Sequence, residues 1–171
     1  MRLATLLTVV ALAATACGSD KSSSSSSDTS AADWANGVCT AVTTYTQSVT
    51  DAATSLKGNV SKDGIDEATK QIQSATETFE DDVKGLGKPE TNAGDQAKTT
   101  LDTLSDQLST DLDKAKSATD QGFVQGLSTV TAALATAQTQ LKTAFDQLKS
   151  LDAKGELSDA FNSATSCASL R

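Results

Sequence analysis

Three cysteines, Cys17, Cys39 and Cys167, are the residues of this sequence best suited to covalent chemistry. The chain contains no histidine, which is the commonest general base and the commonest metal ligand of proteins at neutral pH. A histidine-dependent catalytic triad, a histidine zinc site and a c-type haem attachment are therefore excluded. The remaining candidates for chemistry are thiols and carboxylates.

The carboxylates of interest fall in two groups, Glu80-Asp81-Asp82 and the pair Asp111 and Asp113. Carboxylates held close together serve as general acids and bases or as ligands of hard cations. Residues one or two positions apart on a helix point in different directions, so neither group converges by itself. We therefore expect both groups to be solvated, and we expect no catalytic residue and no enzyme activity.

One segment partly matches a calcium-binding loop. Asn59, Ser61, Asp63 and Gly64 fall at the first, third, fifth and sixth places of an EF-hand loop. The twelfth place, where a bidentate glutamate is needed, is occupied by Lys70. We therefore predict a connection between two helices with Asp63 as the N-cap of the second, and we expect no metal and no other cofactor.

Cys17 follows a segment typical of an export signal. Met1-Arg2 is followed by an apolar run, which is shorter than the about 20 residues that a membrane-spanning helix needs. The sequence Ala14-Thr15-Ala16-Cys17 resembles the lipobox of bacterial lipoproteins, which implies cleavage before Cys17 and a diacylglyceryl group on its thiol. We expect residues 1–16 to be a lipoprotein signal peptide and Cys17 to be the lipidated residue; the alternative is an ordinary secretory signal with an incidental cysteine.

Residues 17 to 32 include six consecutive serines and no large apolar side chain beyond Cys17. Such a segment buries too little surface to offset the cost of ordering its backbone, so we predict a flexible tether spanning about 20 Å. Two acyl chains on Cys17 are enough for stable anchoring, because each buried methylene contributes about 0.8 kcal/mol. The expected location is the outer face of the cell membrane. Glycosylation of the serine tract remains open.

The mature chain is strongly acidic. Loss of Arg2 from the 14 basic residues leaves 13 against 22 acidic residues, a net charge of −9. Nucleic acid and anionic lipid headgroups repel such a domain, so we expect no nucleic-acid partner. The lipid anchor, and not charge, is expected to hold the protein at the membrane, where another cell-envelope protein is its expected partner.

Beyond residue 32 the apolar residues recur at spacings of three and four, which predicts helices. The predicted helices cover about 33–57, 63–84, 90–118, 121–152 and 156–170. Asp33 is the expected N-cap of the first helix, and four side chains of the last are expected to face inward: Leu157, Phe161, Ala164 and Cys167. Short connections between long helices favour an all-α, up-down four-helix bundle over residues 33–171, with coiled-coil-like heptads and a short fifth C-terminal helix. The apolar stripe nearly continues from the third helix into the fourth, so a single continuous helix is the alternative.

The aromatic residues fall on the apolar stripes, and we predict core packing for them instead of a ligand cage. They are Trp34, Tyr45, Phe79, Phe123, Phe145 and Phe161.

Cys39 and Cys167 form an even pair near opposite ends of the predicted bundle. In an exported protein such a pair is most simply a disulfide, and the alternative is two buried free thiols. After four long helices the chain returns to the end where it began, so a fifth helix brings Cys167 towards Cys39. We therefore predict a disulfide between them.

The segment "WANGVC" and the C-terminal "GELSDAFNSATSCASL" resemble small cell-envelope lipoproteins of actinobacteria. The residues that carry this resemblance are Trp34, Cys39, Ala160, Phe161, Ala164, Cys167 and Leu170. The resemblance implies location and fold, and it implies no particular activity. Together these observations predict a membrane-anchored, non-catalytic interaction or structural module; the alternative is a carrier that holds a lipid or other apolar ligand within the bundle.

Overall fold

The computed structural model describes residues 29–152 and 155–170. It contains the helices α1 (Ala31–Gly58), α2 (Lys62–Leu86), α3 (Gly94–Thr119), α4 (Phe123–Leu151) and α5 (Glu156–Ser163), followed by a 3-10 helix (Thr165–Leu170). Within these ranges there is no strand, only an isolated bridge between Thr29 and Pro89. The predicted all-α class is confirmed. The predicted signal peptide, Cys17 and the serine tract lie outside the described residues.

Serine caps determine where α1 and α2 begin. The Ser30 hydroxyl oxygen accepts a hydrogen bond from the Asp33 amide at 3.2 Å, and the Ser61 oxygen accepts one from the Gly64 amide at 3.1 Å. A serine at this position supplies an acceptor for amides that have no partner within the helix. The predicted caps Asp33 and Asp63 are therefore wrong. Both lie inside the first turn, where their negative charge favours the helix dipole.

The third and fourth long helices are separate, which resolves the alternative of one continuous helix. The break is at Gly122, whose φ of 126° lies in the region that favours glycine. Gly126 follows in the first turn of α4, where a Cβ atom would lie 3.1 Å from the Thr119 Cα. These two glycines allow the chain to reverse and the ends of α3 and α4 to approach closely.

The C-terminal segment differs from the predicted single fifth helix. Ala164 has an extended backbone, with φ −60° and ψ 123°, and it separates α5 from the 3-10 helix. Cys167 lies in the 3-10 helix and is fully buried. Despite this break, the four side chains predicted to face inward are all buried: Leu157, Phe161, Ala164 and Cys167.

The buried faces of the helices meet in one continuous apolar cluster. Helix α1 packs against α2 and against the C-terminal segment, α2 also packs against α3, and α4 packs against α3, α5 and, less extensively, α1 and α2. Trp34 near the start of α1 contacts Gly87 just beyond α2, and Tyr45 contacts Phe79, so α1 and α2 run antiparallel.

Five of the six aromatic residues are buried as predicted, and Phe123 is the exception. Its side chain is 42% exposed, because it is the first residue of α4 and lies beyond the end of α3. The adjacent Val124 is 78% exposed and Val60, in the α1–α2 connection, is 56% exposed. In the part of the chain that the structure describes, no helix is long and apolar enough to cross a membrane.

Candidate functional site

The predicted disulfide between Cys39 and Cys167 is present. It joins α1 to the 3-10 helix, with the two Cα atoms 5.0 Å apart, and both residues are fully buried. Beside it, Ser166 donates a hydrogen bond to the Asn36 side-chain oxygen at 2.8 Å. The C-terminal segment is therefore fixed against the first turns of α1, which is the end where the N-terminal segment enters the fold.

The N-terminal segment is itself bonded to the connection between α2 and α3. The Thr29 amide donates to the Lys88 carbonyl at 3.1 Å, and the Glu90 amide donates to the Thr29 carbonyl at 2.9 Å. The Thr29 hydroxyl also donates to the Leu86 carbonyl at 3.0 Å. We call Thr29 with residues 86–90 the Thr29 bridge. It explains why α3 begins at Gly94 and not near residue 90, because Pro89 pairs with Thr29 instead of starting a helix.

An aromatic cluster lies under the Thr29 bridge. The Trp34 ring contacts Phe161 edge to face with centroids 5.9 Å apart, and Phe145 contacts Phe161 at 5.5 Å. The Trp34 ring nitrogen donates to the Gly87 carbonyl at 3.3 Å. Trp34 and Phe161 are almost fully buried, so this end of the bundle is held by apolar packing as well as by the disulfide.

A groove of about 420 Å³ runs between α1 and α2 on the outside of the bundle. Its floor consists of Ala41, Tyr45, Ala75 and Phe79, each less than 10% exposed. The Tyr45 and Phe79 rings pack against each other with centroids 5.5 Å apart. Small residues at the rims, on α1 and α2 alike, leave an open groove above this nearly buried floor. We call it the α1/α2 groove.

Two carboxylates, Asp51 on α1 and Asp82 on α2, line the α1/α2 groove. No lysine or arginine of the described residues lines it, and neither Asp51 nor Asp82 forms an ion pair there. The groove therefore carries an uncompensated negative charge. The sequence predicted a solvated face for Asp82 and did not indicate the groove, because none of the residues that line the groove has an unusual type or spacing.

Tyr45 connects the groove floor to the polar residues inside the bundle. Its hydroxyl lies 3.5 Å from the Thr76 hydroxyl, which donates to the Ile72 carbonyl at 2.9 Å, so Tyr45 is the donor of this pair. Burial raises the pKa of Tyr45; the side-chain contact with Thr76 opposes this rise, and the negative charge of Asp111 adds to it. Tyr45 is therefore un-ionised over the whole physiological range.

The two carboxylate groups considered in the sequence do not converge. Glu80 bonds Lys84 of its own helix and the Ser109 hydroxyl of α3. Asp111 bonds Lys114 at 2.8 Å and accepts from the Gln140 amide of α4 at 2.9 Å. Across the residues described, no three acidic or cysteine side chains are grouped as metal ligands would be.

The residues of the partial calcium-loop match act as helix ends. The Asn59 amide donates to Ser55 at the end of α1, and its side-chain oxygen accepts from the Ser61 hydroxyl at 2.7 Å. Ser61 then caps α2, and Lys70 lies well inside that helix on an exposed face. The side-chain oxygens of Asn59 and Ser61 therefore stabilise the short connection between α1 and α2.

A second groove, of about 370 Å³, lies between α3 and α4 and is lined mostly by threonine and glutamine side chains. It resembles the α1/α2 groove in size and in its hydroxyl groups. Unlike that groove it contains no carboxylate and no aromatic residue. The α1/α2 groove is therefore the better candidate for binding a ligand.

No protein-family model, no curated protein and no solved structure matches this chain. The fold, charge and contacts of the chain itself are therefore the basis on which its function is inferred.

Proposed function

We propose that this protein is an extracytoplasmic lipoprotein, anchored through Cys17 to the outer face of the cell membrane. Its helical domain is an up-down four-helix bundle closed by the C-terminal segment. It acts as a non-catalytic interaction module of the cell envelope.

The proposed anchor is supported by the sequence that precedes the fold. An export-type signal ends at Cys17, and residues 18 to 28 separate that cysteine from the Thr29 bridge. The sequence predicts a flexible coil for this segment, and a coil of this length would span about 20 Å. Because Thr29 is hydrogen-bonded to residues 86–90, the tether joins the bundle at a fixed point. The end that carries the disulfide would then face the membrane.

The observation that carries the proposed interaction role is the set of exposed apolar side chains near the other end. In an up-down arrangement the α1–α2 and α3–α4 connections lie at the end opposite the Thr29 bridge. Val60 lies in the α1–α2 connection, Phe123 and Val124 are the first two residues of α4, and the three side chains are 56%, 42% and 78% exposed. Phe123 and Val124 are adjacent in the sequence, and neighbouring exposed apolar side chains support a surface that binds another protein. We call these three residues the distal apolar residues.

Catalysis has little support. The chain has no histidine, and the carboxylates of interest, on α2 and α3, are divided among separate contacts. General acid-base catalysis needs its groups within hydrogen-bond reach of one substrate.

The anchor is tested by replacing the thiol. We expect intact-mass measurement of the membrane-extracted protein to find a diacylglyceryl modification on Cys17, and Cys17→Ser to lack it and to be released from the membrane. Cys39→Ser/Cys167→Ser, which removes only the disulfide, is expected to remain membrane-bound. An unmodified Cys17 in membrane-extracted protein would contradict the proposed anchor.

The interaction role is tested by site-specific photo-crosslinking on intact cells. A photoreactive side chain at Val124 is expected to capture a discrete envelope protein, whereas the same group at the exposed Glu90 beside the Thr29 bridge is expected not to capture it. Capture should disappear when Val60 and Phe123 are both replaced by serine. Identical capture at positions 124 and 90 would contradict a specific surface at the distal end.

The alternative function, a carrier of a lipid or other apolar ligand within the bundle, has weaker support. The interior side chains form one continuous buried cluster, and the two grooves lie on outer faces of the helix pairs. Native mass spectrometry of the purified protein separates the two functions, because a co-purified apolar ligand would favour the carrier.

A further inference from the structure

We propose that the α1/α2 groove binds a linear polyamine, in which methylene segments separate ammonium groups and each end carries one ammonium group. The inference goes beyond the interaction role and does not depend on it. Three properties of the groove lead to this ligand class: an apolar floor, a rim that offers hydrogen-bond acceptors, and a separated pair of carboxylates.

The floor is suited to an aliphatic chain. Ala41, Tyr45, Ala75 and Phe79 form a continuous apolar strip between the two helices. A volume of about 420 Å³ falls within the range of small-molecule sites and is too small for a folded partner. Methylene groups that lie along this strip would themselves be removed from water, whereas the floor residues contribute little additional apolar surface because each is already less than 10% exposed.

Several polar groups of the rim have a donor hydrogen engaged within their own helix and offer an acceptor to a ligand. The Ser48 hydroxyl donates its hydrogen to the Thr44 carbonyl at 3.1 Å, and the Thr78 hydroxyl donates to the Ser74 carbonyl at 2.8 Å. The Gln71 amide group donates to Glu67 at 3.2 Å. Each of these groups keeps an oxygen lone pair for a ligand. A ligand rich in N–H donors therefore fits this rim better than a carboxylate or a phosphate does.

The spacing of Asp51 and Asp82 selects a linear ligand with charges at both ends. Because α1 and α2 are antiparallel and Tyr45 contacts Phe79, Asp82 lies near the level of Ala41. Asp51 is ten residues further along α1, which at 1.5 Å per residue places the two carboxylates about 15 Å apart along the groove. Neither carboxylate has a lysine partner among the described residues. Terminal ammonium groups would compensate both charges.

The test is calorimetric titration of the full-length protein, in a non-ionic detergent, with spermine as the probe. We expect saturable one-to-one binding. Putrescine, which is too short to reach both carboxylates, is expected to bind more weakly. Asp82→Asn and Asp51→Asn should each weaken spermine binding by about twofold to fivefold, the range expected for a single exposed ion pair. The double variant should lose roughly the product of the two factors.

The matched control is Asp81→Asn, which removes the same charge from the adjacent, exposed residue on another face of α2. It should leave spermine affinity unchanged, because Asp81 does not line the groove. Since the chain is acidic overall, equal weakening by Asp81→Asn and Asp82→Asn would overturn the proposal in favour of general counter-ion association.

A second variant tests the groove independently of charge. Ser74 is exposed and lines the groove, so Ser74→Phe should fill it and abolish spermine binding, while Ser74→Ala should retain binding. Amide chemical shifts on spermine addition should change most for residues 44–51 and 74–82. Absence of spermine binding, binding of a lysine-rich peptide instead, or shift changes centred on the α3/α4 groove would each overturn the proposal.

Discussion

Cys39 and Cys167 are separated by 128 positions in the sequence, yet their Cα atoms lie 5.0 Å apart and their sulfurs are bonded. The bond connects the third turn of α1 to the 3-10 helix at the other end of the chain. Almost the whole helical domain is therefore enclosed in one covalent loop, and the contacts around the loop closure are fully buried.

Breaking this bond is expected to be costly. In the chain-entropy model, a loop of this length restricts the unfolded chain by about 4 to 5 kcal/mol. We expect Cys39→Ala/Cys167→Ala to lower the free energy of unfolding by about that amount, measured by urea denaturation with circular dichroism.

Reductant provides the control for this measurement. The original protein should lose stability when reduced, whereas the double-alanine variant should show the same midpoint with and without reductant. Equal midpoints for the oxidised protein and the variant would contradict a stabilising role for the bond.

Phe161 is expected to be among the side chains whose truncation destabilises the fold most. It contacts both Trp34 and Phe145 and is 1% exposed, so Phe161→Ala leaves a cavity that its neighbours can fill only in part. We expect a loss of about 3 to 5 kcal/mol in the free energy of unfolding. Circular dichroism is the suitable probe, because the fluorescence of Trp34 would itself change.

The matched control is Phe123→Ala. Phe123 is 42% exposed at the start of α4, so the same truncation is expected to cost less than about 1 kcal/mol. Equal losses for the two variants would mean that Phe123 is covered in solution, as the apolar stripe of the sequence predicted.

The apolar pattern of the sequence predicted most of the core because helix periodicity and burial have the same cause. The apolar residues that recur at spacings of three and four along α1, α2 and α3 are buried, including Val38 and Leu101. The pattern fails at Phe123, where the stripe continues in the sequence but the facing helix has ended. The apolar period of one helix does not indicate where the helix packed against it ends.

Three other features could not be predicted from the sequence, for different physical reasons. Ser30 and Asp33 are both good capping residues, and only the backbone geometry shows that Ser30 takes this role. The Thr29 bridge depends on backbone hydrogen bonds to residues 86–90. Backbone hydrogen bonds do not require particular side chains, so the sequence does not indicate them. The α1/α2 groove likewise arises from small residues at the rims of two helices, each of them unremarkable alone.

Gly122 is expected to tolerate substitution poorly. Its φ of 126° and ψ of 165° lie in a region that is almost exclusive to glycine, so Gly122→Ala should cost about 1 to 3 kcal/mol of unfolding free energy. The α3–α4 connection would be strained even though an added Cβ atom would meet no neighbour there. Thermal unfolding followed by circular dichroism measures the effect.

Gly58→Ala is the control for Gly122→Ala. Gly58 is the last residue of α1, has no positive φ, and also has open space around its Cβ position. It should therefore be neutral or stabilising, by up to about 1 kcal/mol. A similar loss at both positions would mean that backbone conformation is not the cause.

Tyr45 is expected to make the stability of the fold decrease in alkaline solution. Its pKa is raised above the ordinary value of 10.0, mainly by burial, so above that pH the unfolded chain loses the phenolic proton while the folded chain keeps it. The folded state then binds more protons, and the free energy of unfolding falls as pH rises from about 10 towards the folded pKa. Below pH 10 the contribution of Tyr45 is fully present and independent of pH.

Because Tyr45 is the only tyrosine of the chain, its ionisation can be followed directly by ultraviolet absorbance. We expect the native titration to be displaced to higher pH than that of the urea-unfolded protein. Tyr45→Phe should unfold like the original protein at pH 7, because Thr76 keeps its own bond to Ile72, and should lose less stability between pH 10 and 11. All other groups are the same in the two proteins, so the difference between the two stability curves isolates the effect of Tyr45. If the stability curves of the two proteins coincide, or if Tyr45 ionises at the same pH in the native and the unfolded protein, solvent reaches the phenol through the α1/α2 groove.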